Sequence, residues 1–413
     1  MVEVTRKYAK QYVTASKKDK GRMLDEFCEL TGLSRSRARH ALVETGRRAP
    51  NVVRMDRRKR RAHKYSADAR EVLEHLWVLS GGSCGPYLAA QMGLLLDSLE
   101  AHGELVDGRG HYSSSVRTEL EAMSSATIDR YLQPIKATAS LRGFSTTKPD
   151  PLLRSSITIR RAGDEAPAEP GFVEVDTVAH CGPTLKGEFA RSVSFTDMIT
   201  GWTVVIPVRN NARKWILKAL DQAVEQFPFP LLGLDCNNGS EFINHEVNRW
   251  VTDRDIFFTR SRPSRPYRKN DQATIESKNN HVVRKHGFYY RYDTPRELAL
   301  LGTLWTAVCA RTNYFTPTRK PVGWGSDCHG RRTRLYDAPS TPLDRLLAAE
   351  VLSRAQAADL LAQRDRLNPA ELTRDILRAQ NLLIDAAKTK TDALYAQVLA
   401  PKTHPAPLRH RPA

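Results

Sequence analysis

Three acids stand out by position: Asp176, Asp235 and Glu276. Asp176 lies inside the strand-like stretch Phe172 to Val178, Asp235 follows the short apolar run Leu231 to Leu234, and Glu276 falls one turn into a helix expected over 271–285. If the first and fourth strands are neighbours, Asp176 and Asp235 come side by side, and a helix crossing that edge lowers Glu276 into the same cleft. Three crowded carboxylates repel one another and stay ionised together only with cations among them. Hard oxygen ligands with open water positions suit Mg²⁺, or Mn²⁺ in its place. Two such ions about 4 Å apart activate a water or a 3′-hydroxyl on one side of a phosphodiester and stabilise the leaving oxygen on the other. Other acids close by have plainer roles. Glu174 shares the strand face of Asp176 but sits about 6–7 Å further along it; Asp197 begins a turn and Glu241 opens a helix.

The elements that must position these acids are legible as a change of period. From Gly171 the pattern predicts strands at Phe172 to Val178, Arg191 to Thr196 and Trp202 to Val208, then a helix over 212–226 and a strand at Leu231 to Leu234. A helix within 241–253, a strand at Ile256 to Thr259 and the helix over 271–285 complete the series. This order predicts a mixed sheet flanked by helices, the α/β arrangement of ribonuclease H-like domains.

Three segments then carry a resemblance: Val173-Glu174-Val175-Asp176-Thr177, the run from Leu234 to Phe242 with its Asp-x-x-x-Gly-x-Glu-Phe pattern, and the run from Asn270 to Asn279 containing Glu276. They resemble the DDE integrase family, to which retroviral integrases and many bacterial insertion-sequence transposases belong. The resemblance covers roughly 171–324, and its most specific part is the pattern at Asp235. It implies that Asp176, Asp235 and Glu276 are catalytic metal ligands for two Mg²⁺ or Mn²⁺ ions, and that the chain cuts DNA ends and joins them to a target. It also implies double-stranded DNA as partner and a homo-oligomer assembled on it. Three departures stand out: the second and third acids lie 276 minus 235, or 41, positions apart, a little longer than is usual in the family, the glycine often found shortly before the glutamate is missing, and Asn237 occupies a place where relatives often carry another acid. The basic loop 260–269 absorbs the extra length.

The cations are arranged as a polyanion partner requires. The chain carries a formal charge of +18 with a pI near 9.8. Met23, Leu24, Phe27 and Leu30 at helical spacing, then Gly32 and Ser34, read as helix-turn-helix grammar, with Arg35, Arg37 and Arg39 exposed on the second helix. The arm 47–64 holds nine Lys or Arg, among them Arg57, Arg58, Lys59, Arg60 and Arg61, against the single acid Asp56. A second helix pair follows near Val116 to Leu132, with Arg130 displayed on its latter helix. Loop 260–269 brings Arg262, Arg265, Arg268 and Lys269, with Tyr267 placed to stack on an unpaired base. Beyond it Lys278, Asn280, Arg284 and Lys285 are expected phosphate contacts.

The expected organisation is multidomain α/β: an N-terminal helix-turn-helix unit (1–46), a basic linker (47–64), a second helical DNA-binding domain (65–163), a ribonuclease H-like catalytic core (164–325), a helical C-terminal region (326–400) and a disordered tail (401–413). In that region Leu372, Ile376, Ala379 and Leu383 form a stripe suited to packing on its own neighbours. The six cysteines show no Cys-x-x-Cys pair and read as reduced thiols. With no apolar run long enough to span a bilayer and no secretory leader, a bacterial cytoplasm near the nucleoid is the expected location and a membrane is not an expected partner. Two other readings fit the residues: a catalytically inactive helix-turn-helix regulator, and a ribonuclease H-like nuclease that cuts without joining.

Overall fold

The computed structural model describes residues 2–47, 64–138, 158–160, 169–236, 241–261, 279–326 and 330–399. They form two compact units, one up to Lys64 and one from Tyr65 onward.

The first unit contains helices α1 (Val2–Thr14), α2 (Lys17–Thr31) and α3 (Arg35–Gly46). Ser16 caps α2 by accepting the Asp19 N–H, and Gly32, in the left-handed region at φ 67°, ends it with its N–H on the Cys28 carbonyl. Phe27 and Leu42 are fully buried among Ala9, Tyr12, Leu24 and Ala38, so the small core is built across all three helices. The turn before α3 is the one that Gly32 and Ser34 predict.

The second unit opens with α4 (Ala67–Leu79), α5 (Gly85–Ala101), α6 (Ser114–Glu121) and α7 (Ser125–Thr138). Asp129 of α7, partly exposed, accepts the Gly85 N–H at the start of α5 (2.8 Å) and the Lys136 ammonium (2.6 Å). Gly85 has no room for a side chain: a Cβ there would lie 2.2 Å from the Ser125 carbonyl oxygen. These helices share one continuous apolar core with the sheet that follows.

That sheet has six strands: β1 (Thr158–Arg160), β2 (Phe172–Ala179), β3 (Arg191–Asp197), β4 (Thr203–Val208), β5 (Gly233–Cys236) and β6 (Phe257–Ser261), in the spatial order β1-β6-β5-β2-β3-β4. β2, β3 and β4 form an antiparallel meander, whereas β5 and β6 run parallel to β2 after crossovers through α8 (Arg213–Gln226) and α9 (His245–Thr252). This is the ribonuclease H-like mixed sheet, flanked by helical regions. Two features hold β2 in place. Val173 and Val175 are fully buried on one face. At the β3–β4 turn, which borders the start of β2, the fully buried Asp197 accepts from the N–H groups of Gly171, Ile199 and Thr200 and from the Thr200 hydroxyl. Asp197 is thus the turn-builder its sequence position predicts.

After the sheet, a π-helical turn (Asn279–Arg284) leads through a short helix to α10 (Pro295–Phe315). Thr294 and Glu297 form the expected capping box, and Trp305 is core, 1% exposed. A hairpin of β7 (Pro321–Ser326) and β8 (Arg332–Tyr336) follows, then α11 (Pro342–Ala348), α12 (Arg354–Arg366) and α13 (Pro369–Leu399). The stretch expected to be helical from 326 therefore begins as strand, and helix resumes only at Pro342. Leu372, Ile376, Ala379 and Leu383 are all buried as α13 packs along α10, and Lys390 reaches Glu297 at 2.6 Å. No described helix is long and apolar enough to cross a membrane.

Candidate active site

Sheet register decides which acids can meet. Opposed residues of paired strands project to the same side of a sheet, and residues two apart on one strand share that side. Across the centre, Thr203 opposes Thr196, Thr196 opposes Glu174, Glu174 opposes Asp235 and Asp235 opposes Thr259, so one rung of the ladder is polar from β4 to β6. Asp176 lies on the same face one rung further, opposite Ser194. The structure therefore puts Asp235 directly beside Glu174 and diagonal to Asp176. Two residues along and one strand across correspond to about 8 Å between Cα atoms. Two aspartate side chains leaning together close such a gap around a bound cation, whereas the expected side-by-side placement would need no lean.

Asp176 is the most elaborately held of these acids. Its Oδ1 accepts the Thr177 N–H at 2.7 Å, and its Oδ2 accepts the side-chain amide of Asn279. The same amide's oxygen accepts the Ser194 hydroxyl at 2.6 Å, so Asn279 ties the carboxylate to the neighbouring strand. Asn279 is 5% exposed. Burial raises the Asp176 pKa to about 6, the Glu241 carboxylate pushing the same way, while the Thr177 N–H, Arg284 and Asn279 pull it down. An acid poised like this gains from a cation beside it.

Glu241 is not where its sequence position suggests. The helix it was expected to open is capped by Asn244, which accepts from the N–H groups of Glu246 and Val247. Glu241 instead accepts the Thr177 hydroxyl at 2.7 Å, with Arg191 3.7 Å away. The carboxylate is therefore anchored beside β2, one residue from Asp176, and belongs to the site. Asn279 was also missed, since Asn280 was expected to face the cleft. In a π-helical turn the residue phase departs from that of an α-helix, which brings Asn279 to Asp176.

The remaining expected site residues are distributed as follows. Asp235 is buried at 9% exposure. Glu276, together with Arg57, Arg58, Lys59, Arg60, Arg61, Arg262, Arg265, Tyr267, Arg268, Lys269 and Lys278, lies outside the described residues. Asn280 is described in its backbone alone, within the π-helical turn. Arg284 is half-buried, and its charge is felt at Asp176. Lys285 donates its ammonium to the Gly81 carbonyl, a bond that joins the helical block to the core. In the first unit Arg35, Arg37 and Arg39 are all exposed, Arg35 also pairing with Asp25; Arg130 is exposed on α7. Among the described residues no three His, Cys, Asp or Glu side chains converge to hold a metal ion.

The integrase core domain family model matches residues 166–266, which span β2 to β6. A curated relative from Sinorhizobium fredii, described as uncharacterized protein y4rM, is 34% identical over 343 residues, covering 83% of this chain and 94% of its own length. Among solved structures, the magnesium-bound catalytic core domain of HTLV-2 integrase in its trimeric form aligns with a TM-score of 0.23 and 15% identity, over 29% of this chain and 70% of that one. The catalytic core domain of BIV integrase aligns with a TM-score of 0.28 and 13% identity, over 44% and 95%.

Proposed function

The chain belongs to the DDE integrase and transposase family, and from that premise we propose that it is a transposase that cuts the ends of a mobile DNA element and joins them to target DNA. The coarser part of this reading, an integrase-like enzyme of the nucleotidyl-transferase kind, follows from the family itself. The finer part is supported chiefly by one observation: Asp176 and Asp235 share one polar face of the central sheet on adjoining rungs, with Asp176 half-buried and held by Asn279.

The family is generally dependent on divalent metal, and the donor set here fits one. Asp176 and Asp235 offer hard oxygen ligands on a common face, and the upward shift on Asp176, set by burial with the Glu241 carboxylate adding to it, is one that a neighbouring cation would relieve. Asp176 and Asp235 would hold the ions, with Glu276 as the third ligand. A bound pair of Mg²⁺ or Mn²⁺ ions supplies an activated water or 3′-hydroxyl and charge stabilisation at the leaving oxygen. The chain's own residues do the rest. Asn279 fixes the Asp176 carboxylate, Thr177 and Arg191 fix Glu241, and Arg284 offsets negative charge at the cleft. The helical units, with Arg37, Arg39 and Arg130 exposed, bind the element ends, and further copies of the chain bring two ends together.

The test is Asp176→Asn in a joining assay with labelled oligonucleotide ends, plasmid target and Mg²⁺ or Mn²⁺. Joining should disappear while binding to the same oligonucleotides persists. A wild-type protein that releases fragments without joined product would instead be a nuclease. Equal biological output from wild type and Asp176→Asn would indicate a DNA-binding regulator.

A further inference from the structure

The hairpin β7–β8 has an unusual surface. Every residue of β8 is exposed, and Val322 (65%), Trp324 (55%), Leu335 (48%) and Tyr336 (48%) show large apolar surface to solvent. A two-stranded ribbon without cover is marginal by itself, and grouped exposed apolar side chains mark a contact surface. Its base is nevertheless firmly seated. The Lys320 ammonium donates to the carbonyls of Met198 and Ile199, the Lys320 N–H to Asp337 at 2.6 Å, and Arg345 grips Asp337 and, at 2.6 Å, the Thr318 carbonyl. Beyond that base, cations gather around an aromatic ring. Arg332 lies over the Trp324 ring at 4.2 Å and Arg334 at 5.7 Å, so two guanidinium groups are pre-arranged around one exposed aromatic. Between 319 and 336 the sequence holds five Lys or Arg and the single acid Asp327.

We propose that this ribbon is a DNA-contacting arm that lies against duplex DNA, with Arg332 and Arg334 on phosphates and Trp324 packed on the groove wall. The proposal rests on the reading of DNA as substrate and adds a contact that neither the helix-turn-helix units nor the basic loops supply. Paired strands about 5 Å apart fit a major groove about 12 Å wide. The charge selects this occupant over a second copy of the chain, because edge-to-edge pairing of two such ribbons would bring four guanidinium groups together with the sequence offering only Asp327 from each copy to offset them.

The experiment is fluorescence anisotropy of a labelled duplex oligonucleotide with the full chain, titrated at several salt concentrations. Three proteins are compared: wild type, Arg332→Gln/Arg334→Gln, and the charge-matched control Arg354→Gln/Arg378→Gln, whose side chains are exposed on α12 and α13. The ribbon variant should bind several-fold more weakly, and its slope of log K against log salt should fall by about 2, one per lost phosphate contact, with the control unchanged. Since all four arginines are exposed, melting temperatures should match. Wild-type binding with an equal slope in the ribbon variant overturns the arm while leaving the DNA reading intact. Loss of self-association in that variant, by sedimentation and without change in DNA affinity, overturns it in favour of a second copy. No wild-type binding at any salt overturns both.

Discussion

Asn279 is the side chain whose removal tests the site geometry most sharply. It donates to the Asp176 carboxylate and accepts the Ser194 hydroxyl, and it is buried. Asn279→Ala deletes a hydrogen bond to a charged group, worth about 1.5–3 kcal/mol. If that energy positions Asp176 for the reaction, the joining rate falls roughly ten- to a hundred-fold at fixed metal. Folding should suffer less, by about 1–2 kcal/mol, because the Ser194 hydroxyl keeps a second acceptor, the Asp176 carbonyl, at 3.4 Å. Asn279→Asp should be worse than alanine, since it sets another carboxylate against Asp176. The assay is single-turnover joining at increasing Mn²⁺, with duplex affinity measured alongside. The alanine variant should need more metal for half its maximal rate and bind duplex as wild type does. Joining at the wild-type rate, with an unchanged metal requirement, would refute the positioning argument.

Three further outcomes concern folding stability. Asp197→Ala strands three backbone N–H groups and the Thr200 hydroxyl at the β3–β4 turn, and should lower unfolding free energy by about 3 kcal/mol or more, read as a lower urea midpoint. His180 and His286 are buried and neutral, each lowered to about 3 chiefly by burial, so the unfolded chain binds more protons than the folded one between there and the ordinary value of 6.5. Their contribution is complete above about pH 6.5 and is lost as pH falls, amounting to about 4 kcal/mol for the pair by pH 5; a flat urea stability between pH 7 and 5 would contradict it. Thr294→Ala breaks the α10 capping box and should cost about 1 kcal/mol, visible as a small drop in Tm with the DNA affinity unchanged.

Local pattern made much of this fold readable. The alternation in Phe172–Ala179, the Thr294-to-Glu297 cap and the stripe from Leu372 to Leu383 each announce their element, since period and capping are properties of neighbouring residues. The features that escaped depend on pairing between distant segments. Nothing near Asp235 states that it will oppose Glu174 and not Asp176, because register is set across strands. Glu241 reads as a helix-opening acid until β2 brings Thr177 to it, and Asn279 is displaced from its expected phase by the π-helical turn. The hairpin Pro321–Ser326 with Arg332–Tyr336 lacks a buried alternating face, so it carries no strand-like periodicity.

In the proposed mechanism Asp176 and Asp235, one rung apart on the polar face of the sheet, hold a divalent ion between them. Crystals of the full chain soaked in Mn²⁺, measured at a wavelength where manganese scatters anomalously, address it directly. The expected result is an anomalous peak within coordinating distance of both carboxylates, lost in Asp176→Asn. Manganese bound elsewhere in the chain, with neither aspartate among its ligands, would contradict it.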